Sequence, residues 1–429
     1  MIVDWPIASP IIEGYRLSGD DGKRMALASE KSVNREKQLL ISCARTRVSP
    51  AIAQRIHEIA SESLDWDYVL HEAEENSVTP LLARHLAEFA PQALPSATND
   101  LLKKTCRANT MRCLSLTADL LRILELFRAK GIEAVTYKGP VLAAQAYGDV
   151  ALREFEDVDI VLRQRDLPAA HEVILSLGYK PKFEWILSPG ASAALVPGEY
   201  NYRDIERRAM VELHTELTLR HFPVPPNLDE FFRNTIEVSV AGRDVPSFAP
   251  EYLLPMLCIH GSKDFWERFS WMADVSEVIQ ACPALDWDKT LRIAESLRAK
   301  RIVHLGLTLA KTLLDAPLPA EIAAALAADE IARELAAEIT QRHMLRTFQT
   351  LDAAGRFNYR RRMVTGFGEG WRYAVRLSVV PAEEDWMMMR LPKALAPLYI
   401  ALRPLRLMRK YGWARRPSGK PSSEPQSPG

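Results

Sequence analysis

The sequence predicts an α+β chain, mostly α overall, in which one small mixed sheet is flanked by N- and C-terminal helical regions. Three observations predict it. Apolar residues recur at helical spacing before residue 131 and again after residue 249. Between them, short runs such as Ala134-Val135-Thr136, Val158-Asp159-Ile160 and Val211-Glu212-Leu213 carry the brief apolar signature of strands. Gly131, a residue that tolerates positive φ, stands where the first helical region gives way to the new period.

Taken in order, residues 1–36 mix charge and glycine without periodicity and read as a loosely ordered lead. Residues 37–130 form the N-terminal helical region. Ser49-Pro50 starts a helix, because the hydroxyl can cap free amides and a proline at the first position loses no hydrogen bond. Asp65-Trp66-Asp67 starts another. From Asn109 to Lys130 the spacing places Leu114, Leu121, Leu124 and Phe127 near one helical face. Residues 131–248 form the α/β unit. It opens with a strand over Glu133–Tyr137, then Lys138-Gly139-Pro140 and a helix to Gly148. Next come a strand over Asp157–Leu162, a helix over Leu167–Leu177 closed by Gly178-Tyr179, and a strand over Met210–His214. A hairpin from Ile236 to Phe248 turns at Ala241-Gly242. Residues 249–350 form the C-terminal helical region. It begins with one long amphipathic stretch from Glu251 to Gln280 and restarts at Asp286-Trp287-Asp288. The segments LDWDYVLHEA (64–73) and LDWDKTLRIA (285–294) resemble each other, each with one Asp placed to cap a helix and a second in its positive first turn. Residues 351–429 form a basic C-terminal segment ending in a Ser/Pro-rich tail that reads as disordered.

Composition limits the function. The 429 residues carry 55 Lys+Arg against 55 Asp+Glu, a formal net charge of zero. A general nucleic-acid binder shows a strong basic excess, so there is no strong nucleic-acid signature and a template-dependent polymerase is disfavoured. The five cysteines are scattered without a CxxC pair, which suits a reducing compartment and offers zinc no site. The opening MIVDWPIASP lacks the basic-then-apolar order of a secretory signal, and no run of about 18 apolar residues exists to form a transmembrane segment. The expected location is cytoplasmic.

The strongest chemical signal is the acidic strand. Side chains alternate along a strand, so Asp157 and Asp159 share a face while Val158, Ile160 and Leu162 face a core. Two carboxylates so close repel unless a cation lies between them. Mg²⁺, or Mn²⁺ in its place, is the natural occupant, since it is held by one or two carboxylates together with phosphate oxygens and water. Val211-Glu212-Leu213-His214 repeats the pattern. If the two strands are neighbours, Glu212 adds a third carboxylate.

The order Tyr137-Lys138-Gly139-Pro140, Tyr147-Gly148-Asp149, Arg153, Glu156-Asp157-Val158-Asp159, Gly178-Tyr179 and Val211-Glu212-Leu213-His214 resembles the uncharacterised bacterial nucleotidyltransferase family of the polymerase-β-like superfamily. Leu257-Cys258-Ile259-His260, Trp271-Met272-Ala273-Asp274-Val275 and the Asp286 helix continue it, so that it covers most of residues 40–320. The resemblance implies a nucleotidyltransferase core and a metal-dependent enzyme that moves a nucleoside monophosphate from a nucleoside triphosphate, ATP being the expected one, to an unidentified small-molecule or protein acceptor. It makes Asp157, Asp159 and Glu212 the metal-binding and catalytic carboxylates. It places Lys138, Gly139 and Arg153 at the nucleotide. The wider superfamily has a Gly-Ser turn where this chain has Lys-Gly-Pro, and the gap to Asp157 is longer than usual. That departure keeps open the alternative of a catalytically inactive nucleotide-binding or interaction module. A lysine can nonetheless hold a phosphate as a point charge.

Other residues carry paired readings. Arg153 either pairs with Glu156 or Asp149 or touches the triphosphate. His214 is expected to hydrogen-bond Glu212 rather than ligate, because Mg²⁺ prefers oxygen. His260 and Lys263, near one helical turn apart, either line the cleft or belong to the helical core and its surface, and Asp274 either caps, pairs or acts. Gly366-Phe367-Gly368-Glu369-Gly370 imitates a dinucleotide loop without the strand before it that gives that motif meaning. The acid-free stretch 390–416 is basic and interleaved with apolar residues. It can make peripheral membrane contact or pack back on the body, and its three prolines favour the second.

Overall fold

The computed structural model describes residues 35–182, 198–206, 209–217, 228–346, 348 and 350–364, then scattered positions to 412 that include a helix over Leu398–Gly412. The N-terminal lead (save its last residues), the glycine run 366–370, the Ser/Pro-rich tail and much of 390–416 lie outside the described residues. Among the described residues, no helix is long and apolar enough to cross a membrane.

Among the described residues five helices come first: α1 (Arg35–Cys43), α2 (Pro50–Ala60), α3 (Trp66–Glu75), α4 (Thr79–Phe89) and α5 (Ser96–Ala129). Ser49 caps α2 by accepting from the Ile52 amide, with Pro50 at the first helical position. Asp65 accepts from the Tyr68 amide at 3.1 Å, and in the similar segment Asp286 accepts from the Lys289 amide at 2.8 Å. Helix α5 starts thirteen residues before the expected Asn109, because its polar first half buries little beyond Leu102 and offers no stripe to read. The stripe it does bury is Cys113, Leu116, Leu120, Ile123, Leu124 and Phe127. Leu114, expected on that face, is 51% exposed, since one residue turns the side chain by about 100°. Gly131 (φ +69°) ends α5: the Ile132 amide bonds back to Phe127 and the Gly131 amide to Arg128.

The α/β unit runs β1 (Ala134–Thr136), α6 (Gly139–Leu142) continued by a single π-turn (Ala143–Tyr147), β2 (Asp157–Leu162), α7 (Leu167–Ser176), β3 (Lys180–Pro181), β4 (Glu199–Asp204) and β5 (Ala209–His214). The sheet order is β1-β2-β5-β4-β3, with β2 parallel to β5 and every other pairing antiparallel. The strand β4 was not expected from the sequence. After the short helix α8 (Leu228–Phe232), β6 (Thr235–Val240) and β7 (Arg243–Phe248) form the expected hairpin. Its turn residues Ala241 and Gly242 both take positive φ, the twist that two-residue hairpin turns need.

The C-terminal helices are α9 (Pro250–Lys263), α10 (Phe269–Ala281), α11 (Trp287–Ser296), α12 (Lys300–Leu314), α13 (Ala320–Ala328), α14 (Glu330–Met344) and α15 (Ala353–Met363). The single long stretch expected over 251–280 is two helices. Phe265 and Trp266 take positive φ and reverse the chain, a conformation that bulky residues adopt only when held. Trp266 is held. Its indole is fully buried, its amide bonds to the Gly261 carbonyl at 2.8 Å, and its carbonyl pairs with His343 Nε2 at 2.7 Å. A Cβ on Gly261 would sit 2.5 Å from the Trp266 ring. Gly261→Ala is therefore expected to lower stability by about 1–3 kcal/mol through overpacking, measured as a shift in the urea midpoint at constant slope.

The sheet separates two apolar cores. One face presents Val158, Ile160, Leu162, Val211 and Leu213 to the second half of α5 and to α7. The other presents Val135, Tyr137 and Val161 to a larger core. That larger core draws residues from α1–α4 and from α9–α15 together. The helical regions that precede and follow the sheet in sequence thus share one interior, and α9 lies against the sheet's second face.

Candidate active site

Pairing between β2 and β5 decides the geometry of the site. The two strands are parallel with Asp159 opposite Glu212, and Asp157 opposite Met210, so the acidic residues of both strands share one face. On the far side of β5, β4 brings Glu199 opposite His214. Above this face lies a cleft of about 200 Å³. Its sheet wall includes Tyr137, Lys138, Asp157, Glu199, Glu212 and His214. Its helical wall includes His260 and Lys263 of α9.

Asp159 sits lowest, 1% exposed, and does not itself line the cleft. Its Oδ1 meets Lys138 Nζ at 2.9 Å and His214 Nε2 at 3.0 Å. Its Oδ2 is buried and has no hydrogen-bond partner among the described residues. His214 Nε2 also lies 3.5 Å from Glu212. A donor set of two carboxylates and an imidazole, Asp159, Glu212 and His214, has ligand atoms within 4.8 Å of one another. An orphaned buried carboxylate oxygen inside such a set fits a hard divalent cation. Asp157 stands on the same face and lines the cleft beside that three-residue cluster rather than within it.

The charges set one another. Burial alone would raise the Asp159 carboxyl, but the Lys138 charge and the His214 hydrogen bond outweigh it and hold Asp159 well below the carboxylate range. Burial lowers His214, yet its bonds to Asp159 and Glu212 win and lift it to about 10. Burial, and then the like charges of Asp159 and Glu212, push Asp157 up to about 7. His260 is pushed well below its ordinary value by burial and by Lys138 and Lys263, leaving a neutral imidazole in the cleft.

A pH dependence follows from His214. Its folded value of about 10 lies above the unfolded value near 6.5, so its stabilisation is full below about 6.5 and is lost as pH rises through 10. The unfolding free energy of the wild type is expected to fall across that window relative to His214→Gln. Parallel curves from urea unfolding at pH 6 to 10 would contradict it.

Lys138 stands on the turn between β1 and α6. Gly139 beside it has φ +54°, and a Cβ there would approach the Asp157 carbonyl to 3.2 Å. The glycine thereby lets the Lys138 turn pack against the start of β2. Arg153 requires a correction. Neither Glu156 nor Asp149 is its partner: Arg153 donates from Nε to Asp274 Oδ1 at 2.8 Å and from Nη2 to Oδ2 at 2.9 Å. Glu156 instead meets Arg112 at 3.4 Å, and Asp149 accepts from the Ala151 amide at 2.9 Å. The Arg153 pair is buried and lies outside the cleft lining. Asp274 pairs rather than caps, and also accepts from the Tyr147 hydroxyl at 2.7 Å. His260 and Lys263 do face the cleft, Lys263 lying 3.6 Å from Glu199.

Sequence reasoning missed Glu199 and Glu216, which both line the cleft. The signal for Glu199 was the alternation in Glu199-Tyr200-Asn201-Tyr202, whose two tyrosines are buried on the other face. Glu216 follows β5 without any periodicity to place it.

Comparison with known proteins adds three findings. A family model described as uncharacterised nucleotidyltransferase matches residues 62–315. No curated protein matches the chain. Among solved structures, the solution structure of the antibiotic-resistance factor ANT(2'')-Ia is similar at 13% identity, over 44% of this chain and 93% of that one, with a TM-score of 0.32.

Proposed function

The chain belongs to the uncharacterised nucleotidyltransferase family, and from that premise we propose that it is a metal-dependent enzyme. In this reading it moves a nucleoside monophosphate from a nucleoside triphosphate, ATP first, to a small-molecule or protein acceptor. The observation that carries the reading is the register of β2 on β5, which sets Asp159 against Glu212 while Asp159 Oδ2 stays buried without a partner among the described residues. Lys138 and His214 meet the other oxygen, so Oδ2 is the atom that a ligand would complete.

Asp159 and Glu212, with Asp157 beside them, would hold Mg²⁺ or Mn²⁺, which supplies charge stabilisation to the attacking and leaving oxygens. The remaining steps belong to the chain's own residues. Lys138 and Lys263, both on the cleft wall, offer ammonium groups to the triphosphate. Glu212 takes the proton of the acceptor hydroxyl at a carboxylate oxygen. The acceptor oxygen then forms its bond to the α-phosphorus in line with the bond that breaks, and pyrophosphate leaves with the electron pair.

The test is a screen of the four ribonucleoside triphosphates with Mg²⁺ or Mn²⁺, beside the double variant Asp157→Asn/Asp159→Asn. Binding by calorimetry and pyrophosphate release are read together. Equal nucleotide binding by both proteins would remove the reading. One observation favours a second reading, a nucleotide-binding module without turnover: Lys138 already neutralises Asp159. Cation-independent nucleotide binding with no pyrophosphate release would select it.

A further inference from the structure

We propose that Lys138 holds the place of the divalent cation at Asp159, so that ammonium and cation compete for one carboxylate and the triphosphate relieves the competition. This rests on the metal-dependent reading above and adds an order to it.

The geometry at Asp159 leads there. Its carboxylate is 1% exposed, and the oxygen left without a partner is buried with the rest of the group. A cation arriving from the cleft reaches that oxygen only when something bound to Asp159 moves. Among the described residues two groups are bound, both at Oδ1: Lys138 and His214. His214 projects from β5, which is paired on both sides, by β2 and by β4. A short side chain on a central strand has little travel. Lys138 lies on the turn between β1 and α6, carries a four-carbon stem and lines the cleft. It is the group free to swing.

Electrostatics gives the swing a direction. An ammonium and a divalent cation on the same buried carboxylate repel strongly, because the medium there screens poorly. Leaving Asp159, the ammonium enters a cleft in which Glu199 already meets Lys263 at 3.6 Å and in which Asp157 and Glu212 stand beside the incoming cation, so a further anion favours its departure. A triphosphate is that anion. Cation and nucleotide binding are then coupled through Lys138: each makes room or charge for the other, and the coupling is reciprocal.

The test measures Mn²⁺ binding by electron paramagnetic resonance of the free ion, on the full chain, with and without a non-hydrolysable ATP analogue. Wild type is compared with Lys138→Met and with Lys138→Gln, the latter retaining polarity should the methionine variant fold poorly. In the variants Mn²⁺ alone is expected to bind roughly tenfold more tightly, and the tightening by the analogue to shrink by a similar factor. Direct chelation by the phosphates is common to all three proteins, so the change in ratio reports Lys138. Variants that bind Mn²⁺ equally to or more weakly than wild type overturn the competition and leave the metal site standing. Absence of Mn²⁺ binding in wild type and variants alike overturns this proposal together with the metal-dependent reading.

Discussion

Asp159→Asn is expected to lower turnover roughly 10³-fold, the scale of losing one preorganised charge group at a reacting centre, and also to lower stability by about 3–5 kcal/mol. The second effect comes from Lys138. Its ammonium is buried, and burial alone would discharge it, but the charge of Asp159 more than offsets this and raises Lys138 well above its ordinary value. An amide of the same shape removes that charge and leaves the cation nearly unpaired. Asp157→Asn gives the opposite sign. The Asp157 carboxyl is raised to about 7 by burial and by its acidic neighbours. Above pH 7 its ionised form therefore costs stability, and neutralising it restores some. At pH 8 both variants are expected to lose pyrophosphate release, while urea unfolding shows Asp159→Asn destabilised and Asp157→Asn at least as stable as wild type. Equal destabilisation of the two would show that the aspartates are not differentiated by Lys138 and His214.

That differentiation is where sequence reading stops. Alternation along Asp157–Leu162 and Met210–His214 was enough to place the acids on one side and Val158, Ile160, Val211 and Leu213 on the other. The strand neighbours followed only as a condition, because register is a tertiary fact. Nothing local states that Asp159 rather than Asp157 stands opposite Glu212. Ion-pair partners were less legible still. Arg153 had acids three and four positions away, yet its partner is Asp274, 121 residues along the chain. Arg153 must come from the segment before β2 and Asp274 from α10, and only the shared helical interior brings them together. The break between α9 and α10 was hidden for a related reason. Helical periodicity runs through Phe265-Trp266 without interruption, and the positive φ there is held by packing of Trp266 against Gly261 and Gly306 rather than by any local turn residue. Where a cue is local the sequence showed it: the Ser49, Asp65 and Asp286 caps, the Gly131 stop and the Ala241-Gly242 turn.

The helical interior bears on the site through Asp274, and its removal tests how strongly. Asp274 accepts two bonds from Arg153 and one from Tyr147, all with donor–acceptor distances between 2.7 and 2.9 Å. Both members of the ion pair are buried, with side chains 9% and 1% exposed. Burial would lower the Arg153 guanidinium, but Asp274 outweighs it, so Arg153 keeps its charge in the folded chain. In Asp274→Asn the amide keeps one acceptor oxygen and turns an NH₂ donor toward the guanidinium, leaving a buried cation against a donor. The expected loss is about 3–5 kcal/mol in urea unfolding. The exposed pair Arg243–Glu125, with side chains 61% and 69% exposed, serves as the control. Arg243→Ala is expected to cost no more than about 1 kcal/mol. Replacing the whole group by apolar side chains, Arg153→Met/Asp274→Leu/Tyr147→Phe, should recover most of the loss, because no polar partner is then stranded. If Asp274→Asn costs no more than the surface control, the buried pair does not tie α10 to the segment that leads into β2. The position of Asp157 then depends on the sheet alone.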